Sequence, residues 1–373
     1  MGSAKEQTMP EGTGAYQVTH RILAINPGST STKIAVYNDD ELVFDEVIRY
    51  RPEELAVFDN VMDQYKKRIE DIFEILAKRD CQVSDFTAVI GRGGLLKPIE
   101  GGVYEVNSKM ISDLIGTGKI PHACNLGAPM AREIADIISV PAFIADPPVV
   151  DEFCELARLS GLPEISRTAI FHALNHKAVA KRAAKAMGVR YEDANFIVCH
   201  VGSGATIGAH RNGRVIDANN ALDGEGPFTP ERCGGLPLLG FVEMCYADNY
   251  SLEDIKKKLV GKGGLMAYLE TNSAVEVERR IKEGDEYATL VYEAMAYQIA
   301  KEIGAQATVL KGDIDAIIIT GGVAYSEMLV EWIKARVEFI APVMVYPGED
   351  EMRALAEACL RALRHEEEVR VYM

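Results

Sequence analysis

Short apolar runs alternate with small polar corners over the first fifty residues. Ile22-Leu23-Ala24-Ile25 is brief and β-branched, which predicts a buried strand. Ile34-Ala35-Val36-Tyr37 predicts a second strand, and Leu42-Val43-Phe44 a third, entered through a turn at Asn38-Asp39-Asp40. The apolar spacing then changes to the helical period, with Leu55, Phe58, Val61, Met62, Tyr65, Ile69, Ile72, Phe73 and Ile75 predicting one helix over residues 53–78. Ala88-Val89-Ile90 predicts a strand running into Gly91-Arg92-Gly93-Gly94. Helices follow over 107–117 and 127–138, and Pro141–Ala145 predicts a strand that ends on Asp146. Near residue 151 the chain changes from strands to helical segments, and the expected domain boundary lies there. Thr168–Lys177 opens an Ala- and Lys-rich helix running to about residue 187, with His172 and His176 on one face. Further helices are predicted over 251–259, 263–269, 274–282 and 284–310. Asp315–Thr320 predicts a strand bent at Gly321-Gly322-Val323-Ala324, Val343–Tyr346 another, and 350–364 a last helix.

The polar corner between the first two strands reads Asn26-Pro27-Gly28-Ser29-Thr30-Ser31-Thr32-Lys33. Its backbone N–H groups and hydroxyls can donate to phosphate oxygens, and Lys33 adds a point charge. The GxxxxGK[ST] spacing of a Walker A loop is absent, and a strand follows instead of a helix. The corner has an echo. Phe196-Ile197-Val198-Cys199 runs into His200-Val201-Gly202-Ser203-Gly204-Ala205-Thr206, with a turn at Asn212-Gly213. At an offset of 174, Gly28 meets Gly202, Ser29 meets Ser203 and Thr32 meets Thr206. A repeat of this length implies two similar domains. In such a fold the last helix returns to the first domain. The expected units are therefore 20–150 with 350–373, and 151–349; residues 1–19 are expected to be a disordered extension or tag, not a signal peptide.

Composition narrows the function. The chain has 373 residues, 48% of them hydrophobic and 26% charged, which suits two domains with full cores. A formal net charge of −16 argues against nonspecific nucleic-acid binding. It also means that an anionic substrate must be met by local positive groups. The seven cysteines are dispersed without a CxxC, which predicts reduced thiols and a cytoplasmic protein. No apolar run approaches the length of a membrane span. Asp146 lies at a strand's carboxyl end, where α/β folds bind ligands. His172 near a helix start suits a phosphate contact. Zinc at His172 and His176 is not expected, since no third ligand is near in sequence.

Twin phosphate-cradling hairpins facing a cleft resemble the actin, sugar kinase and Hsp70 ATPase superfamily. The resemblance implies an α/β fold of two duplicated actin-like (ribonuclease H-like) domains with a cleft between them. Five motifs make it more specific: the Asn26–Lys33 corner, Phe171-His172-Ala173-Leu174-Asn175-His176, Asn219-Asn220-Ala221-Leu222-Asp223-Gly224, Phe228-Thr229-Pro230-Glu231-Arg232, and Tyr346-Pro347-Gly348-Glu349. In this order they resemble the acetate kinase family, and within it the butyrate-phosphorylating group. The resemblance implies reversible, ATP-dependent phosphorylation of a short-chain carboxylate to an acyl phosphate. It implies ATP/ADP and Mg²⁺ as cofactors, no nucleic-acid or membrane partner, and a homodimer or larger even assembly. It assigns Mg²⁺ to Asn26 and Glu351, directly or through water. It sets Ser29, Ser31 and Lys33 near the transferring phosphoryl group. The loop from His200 through Gly202 and Ser203 to Gly204, with Gly321, Gly322 and Val323, would bind nucleotide. Arg92, Asp146 and His172 match the family's substrate and catalytic positions.

Two departures from the family carry expectations. The family's later arginine is missing, since the chain reads Gly235-Leu236-Pro237-Leu238-Leu239 there, and Arg232 is the expected replacement. Gly93 and Gly94 stand where the family has bulky side chains, so a roomier acyl pocket with Phe171 and Pro230 as further walls is expected. That favours butyrate or isobutyrate over acetate. Asp146 is expected to orient Arg92 or a metal-bound water. The competing readings are a propionate, acetate or branched-chain acid kinase, a nucleotide-binding regulatory protein without catalysis, and a sugar kinase. The last is disfavoured because a hydroxyl substrate needs a general base in a polar pocket.

Overall fold

The computed structural model describes residues 19–116, 122–220, 224–247 and 249–373. The expected N-terminal extension falls almost wholly outside the described residues, and so do Ala221, Leu222 and Asp223 of the third motif. The first domain contributes β1 (Arg21–Pro27), β2 (Ser31–Asn38), β3 (Glu41–Arg49), β4 (Ala88–Arg92), β5 (Val103–Glu105) and β6 (Ala142–Ala145). The second contributes β7 (Asn195–Val201), β8 (Ala205–Arg211), β9 (Arg214–Ala218), β10 (Ala316–Gly321) and β11 (Val343–Pro347). A final strand, β12 (Val369–Val371), lies beside β5. The two sheets run β12-β5-β6-β4-β1-β2-β3 and β11-β10-β7-β8-β9.

Both sheets share one plan. An antiparallel meander, β1-β2-β3 or β7-β8-β9, is extended by parallel strands from its first member. The strand register corrects the repeat by one residue. Pro27 pairs with Thr32 across the first corner, whereas Val201 pairs with Ala205 across the second. The second corner is thus one residue shorter, and beyond it the offset falls to 173. Lys33, not Thr32, is then the counterpart of Thr206. The β-bulges agree: the ladder slips between Val36 and Tyr37 in one domain and between Ala209 and His210 in the other.

Two helices fill the space between the sheets. The helix Glu351–Leu363 lays Ala354, Leu355, Ala358 and Cys359 against Ile22, Ala24, Ala35 and Ile90 of the first sheet. The helix Ala173–Met187 lays Val179, Ala180, Ala183 and Ala184 against Phe196, Val198 and Ile318 of the second. Alanine on both inner faces allows close approach, and Leu174 and Ala178 join the first domain's cluster. Outer faces are covered by Tyr65–Lys78 and Gly127–Ile138 on the first sheet and by Glu286–Val309 and Glu327–Val337 on the second. All seven cysteines are free. Among the described residues no helix is long and apolar enough to cross a membrane.

Two predicted helices differ in extent. The stretch 53–78 breaks into Pro52–Leu55, a short turn at Val61–Gln64 and Tyr65–Lys78, because Asn60 caps a new start by accepting from Met62 and Asp63. The helix expected from residue 168 begins at Ala173, leaving Thr168–Phe171 outside it and Thr168–Ile170 on the cavity wall.

Candidate active site

The first corner is held from behind by a charge. Arg68, on the inward face of Tyr65–Lys78, is fully buried. Its guanidinium donates to the carbonyls of Gly28, Ser29 and Ser31, at 2.8, 3.3 and 3.0 Å, and to Thr32 Oγ1 at 3.1 Å. Gln64 Oε1 takes a further bond. With these carbonyls and the Thr32 hydroxyl drawn inward, Ser29 and Lys33 are exposed, and Ser31 and Lys33 line the main cavity. Arg68 was not identifiable as a site residue from sequence, because its only signal was one cation among helical apolar positions.

A short acidic strip lies between the two corners. Asp350 has a left-handed backbone, φ +24°, which is strained for a non-glycine residue. It turns Glu351 into the first helical position of Glu351–Leu363. Asn26 donates to Glu351 Oε2 at 2.5 Å, and Arg92 from the end of β4 pairs with Glu351 Oε1. Glu349 faces the second domain, its Oε1 at 3.6 Å from His200 Nε2. His200, Lys33 and Arg92 hold the Glu349 carboxyl below the usual range. A Cβ on Gly202 would meet Glu349 Oε1 at 2.8 Å. Both corners therefore abut one segment, Glu349–Glu351, from opposite sides. Glu349 was quoted only as part of a motif; its role becomes visible when the chain folds.

The second corner carries histidines. His172 stacks on His200, ring centres 3.9 Å apart, and its Nδ1 lies 2.9 Å from Thr206 Oγ1. His200 Nδ1 bonds Asn175 Oδ1 at 2.8 Å. Burial, with His200, Arg92 and Arg232 nearby, drives the His172 pKa well below its ordinary value, so the ring is neutral at pH 7. Thr229 fixes the corner by donating to the Ser203 carbonyl at 2.5 Å. Gly321, φ +93°, brings β10 against β7; a Cβ there would strike the Val201 carbonyl at 2.3 Å. Gly322 beside it has open space, and Val323 is buried. Two buried donors near His172, Arg92 Nε and Arg232 Nε, have no hydrogen-bond partner among the described residues. Such groups normally find partners, and their clustering here marks a place for an anion.

The main cavity, about 810 Å³, is lined by the first corner, Arg92 and Glu351 on one side and by Arg167–Ile170 on another. Its apolar wall is Leu95, Leu96, Pro98, Val149 and Ile170. That corrects the expected pocket. A Cβ on Gly93 would meet Pro147 Cβ at 2.5 Å, and one on Gly94 would meet Asn125 and Leu114 at 2.7 Å. These glycines allow tight packing and leave no spare room beside Arg92. Phe171 is buried against Phe153, 6.5 Å between rings, and neither it nor Pro230 lines the cavity. The expected contact of Asp146 with Arg92 is also absent among the described residues. Asp146 Oδ1 instead accepts from the Gly102 backbone at 2.7 Å, its backbone left-handed at φ +38°. Burial raises its pKa.

Asn26, Glu349 and Glu351 offer only oxygen donors toward a metal. No group of three or more His, Cys, Asp or Glu that could hold an ion occurs among the described residues. Oxygen donors of this kind suit Mg²⁺, which keeps several waters and takes one or two carboxylates together with substrate phosphates.

Twin meander domains with facing polar corners give the chain the two-domain α/β fold of solved acetate kinase and sugar kinase structures. The sequence adds that residues 164–344 match the Acetokinase family, so the second domain carries that family's pattern. An acetate kinase from Porphyromonas gingivalis is 20% identical, with 92% of this chain and 100% of that one covered and a TM-score of 0.76. A propionate kinase from Francisella tularensis is 19% identical over 91% and 98% of the two chains, TM-score 0.69. A putative N-acetylmannosamine kinase from Listeria monocytogenes is 14% identical over 93% and 99%, TM-score 0.51.

Proposed function

We propose that the protein is a carboxylate kinase of the acetate kinase family. It would use ATP to phosphorylate a short-chain fatty acid, with butyrate or isobutyrate preferred over acetate, reversibly forming the acyl phosphate. The observation that carries this reading is the approach of both corners to Glu349–Glu351, next to a cavity with an arginine at one end and an aliphatic wall.

The chemistry suits these groups. A carboxylate is already ionised at pH 7. One of its oxygens forms a bond to the γ-phosphorus while the bond to the bridging oxygen breaks, and that electron pair leaves with ADP. No proton changes hands. The obstacle is repulsion between anions, roughly 4 kcal/mol for unit charges ~4 Å apart at an effective dielectric of about 20. Arg92, Arg232 and Lys33 would offset it, along with Mg²⁺ held through Asn26 and Glu351. Ser29, Ser31 and neutral His172 would donate to phosphoryl oxygens. His200–Gly204 and Gly321–Val323 would take the nucleotide, with Gly322 open to it. Asp146 would act indirectly, by tying the end of β6 to Gly102. Catalysis of this kind is mostly positioning and charge stabilisation.

Chain length is read by Leu95, Leu96, Val149 and Ile170, and each methylene buried there is worth about 1–3 kcal/mol. Trapping the acyl phosphate with hydroxylamine across acetate, propionate, butyrate, isobutyrate and hexanoate tests the reading. The expected result is a kcat/KM at least ~10-fold higher for a four-carbon acid than for acetate. Equal values would remove the butyrate preference. No hydroxamate from any acid would leave the nucleotide-binding regulatory reading in its place.

A further inference from the structure

Behind His172 runs a buried chain of hydrogen bonds that the proposed reaction does not itself require. Thr206 Oγ1 lies 2.9 Å from His172 Nδ1 and 2.9 Å from His176 Nε2. His176 Nδ1 lies 3.2 Å from His210 Nε2, and His210 Nδ1 lies 2.8 Å from the Tyr191 hydroxyl. Thr206, His176 and His210 are fully buried, and Tyr191 is nearly so. The array follows from two matched periods. His172 and His176 are four apart at the start of Ala173–Met187, while Thr206, Gly208 and His210 alternate onto one face of β8. Gly208 makes room for the ring, since a Cβ there would lie 3.2 Å from His176 Nδ1.

We infer that Tyr191 and His210 are positioning residues, which fix His172 as the tautomer carrying its proton on Nε2. The direction of the chain is set at its far end. The Tyr191 hydroxyl has one hydrogen-bond partner among the described residues, His210 Nδ1. If His210 donated to it, a buried phenolic proton would be left without an acceptor. Tyr191 therefore donates to His210 Nδ1. His210 Nε2–H then donates to His176 Nδ1, and His176 Nε2–H donates to Thr206 Oγ1. Thr206 has one proton, which goes to His172 Nδ1. The proton of neutral His172 is left on Nε2, which has no protein partner among the described residues and stands where the Arg92 and Arg232 charges are felt. Burial keeps His172, His176 and His210 neutral, and Lys177 adds to this at His210. The reversed chain would present a bare Nε2 lone pair to an anion. The tautomer assignment stands on geometry alone; its value to phosphoryl transfer rests on the function proposed above.

The test is the ring ¹⁵N spectrum of histidine-labelled protein at pH 7.5, with His172 assigned by the signal lost in His172→Gln. The expected result is a neutral His172 protonated on Nε2, and a shift toward a mixture of tautomers in Tyr191→Phe, which removes only the terminal donor. Kinetically, Tyr191→Phe should lower kcat about tenfold, ~1.4 kcal/mol in barrier, with the carboxylate KM unchanged. Wild-type His172 protonated on Nδ1, or a Tyr191→Phe spectrum identical at His172, would overturn the inference. Both spectral readouts stand if the wild-type enzyme makes no acyl phosphate, an outcome that bears on the proposed function only.

Discussion

Arg92 and Arg232 each reach the site with a buried Nε that nothing in the described protein accepts from. The sequence singled them out for different reasons. Arg92 stood between glycines at a strand end, and Arg232 was the nearest cation where the family pattern lacked one. Both would oppose charge in the transition state, so each should matter more for kcat than for folding. Arg92→Ala is expected to lower kcat/KM by about 10²–10³-fold, and Arg232→Ala by a similar factor, with urea midpoints little changed. Full activity in Arg232→Ala would remove it as the replacement for the missing arginine. Gly93 and Gly94 show the limit of reading residues singly. Sequence tells that a side chain is absent, but the space it would have taken is filled by Pro147, Asn125 and Leu114, which lie at least 20 residues further along the chain.

Among the elements, the two meanders were plain in the alternation of apolar and polar positions, and so was their kinship. What the alternation could not supply was the length of each corner, because a one-residue difference leaves both strands equally apolar. Only pairing partners reveal it. Arg68 was hidden for a related reason: its function lies in carbonyls about 40 residues away, which no helical pattern encodes. Replacing it leaves the Gly28 and Ser29 carbonyls without that donor and the Ser31 carbonyl with the Gly28 N–H alone. Arg68→Met should therefore cost about 2–4 kcal/mol in urea unfolding and raise the KM for ATP severalfold more than the KM for the carboxylate. A purely structural buttress would lower stability and leave both KM values alike.

For the whole molecule, three neutral histidines, His176 and His210 fully buried and His172 half-buried, tie stability to pH. His172, His176 and His210 all have pKa values pushed well below their ordinary value by burial. In the unfolded chain each titrates near pH ~6.5. Above that value neither state binds the protons and their contribution is complete. As pH falls below it, the unfolded chain takes up protons that the native one refuses, and stability drops. Three sites set an upper slope of about 4 kcal/mol per pH unit. Asp146, with its raised pKa, works in the opposite sense and makes the slope shallower. Glu100 and Glu367, both lowered to about 2, add their own loss only below their unfolded value near 4.5. Urea unfolding at pH 7.5, 6 and 5 follows the histidines without those two glutamates. A flat profile over that range would contradict their neutral burial.

The helix Glu351–Leu363 and β12 belong to the first sheet, yet the ribosome delivers them after the second domain. Until then the nascent first half carries Ile22, Ala24 and Ile90 on a face with nothing to cover it. The order of assembly is thus the reverse of the order of translation: the later-made lobe can close first, and the earlier one waits, sticky, for the tail to return. Chaperone demand should accordingly concentrate on the emerging amino-terminal half.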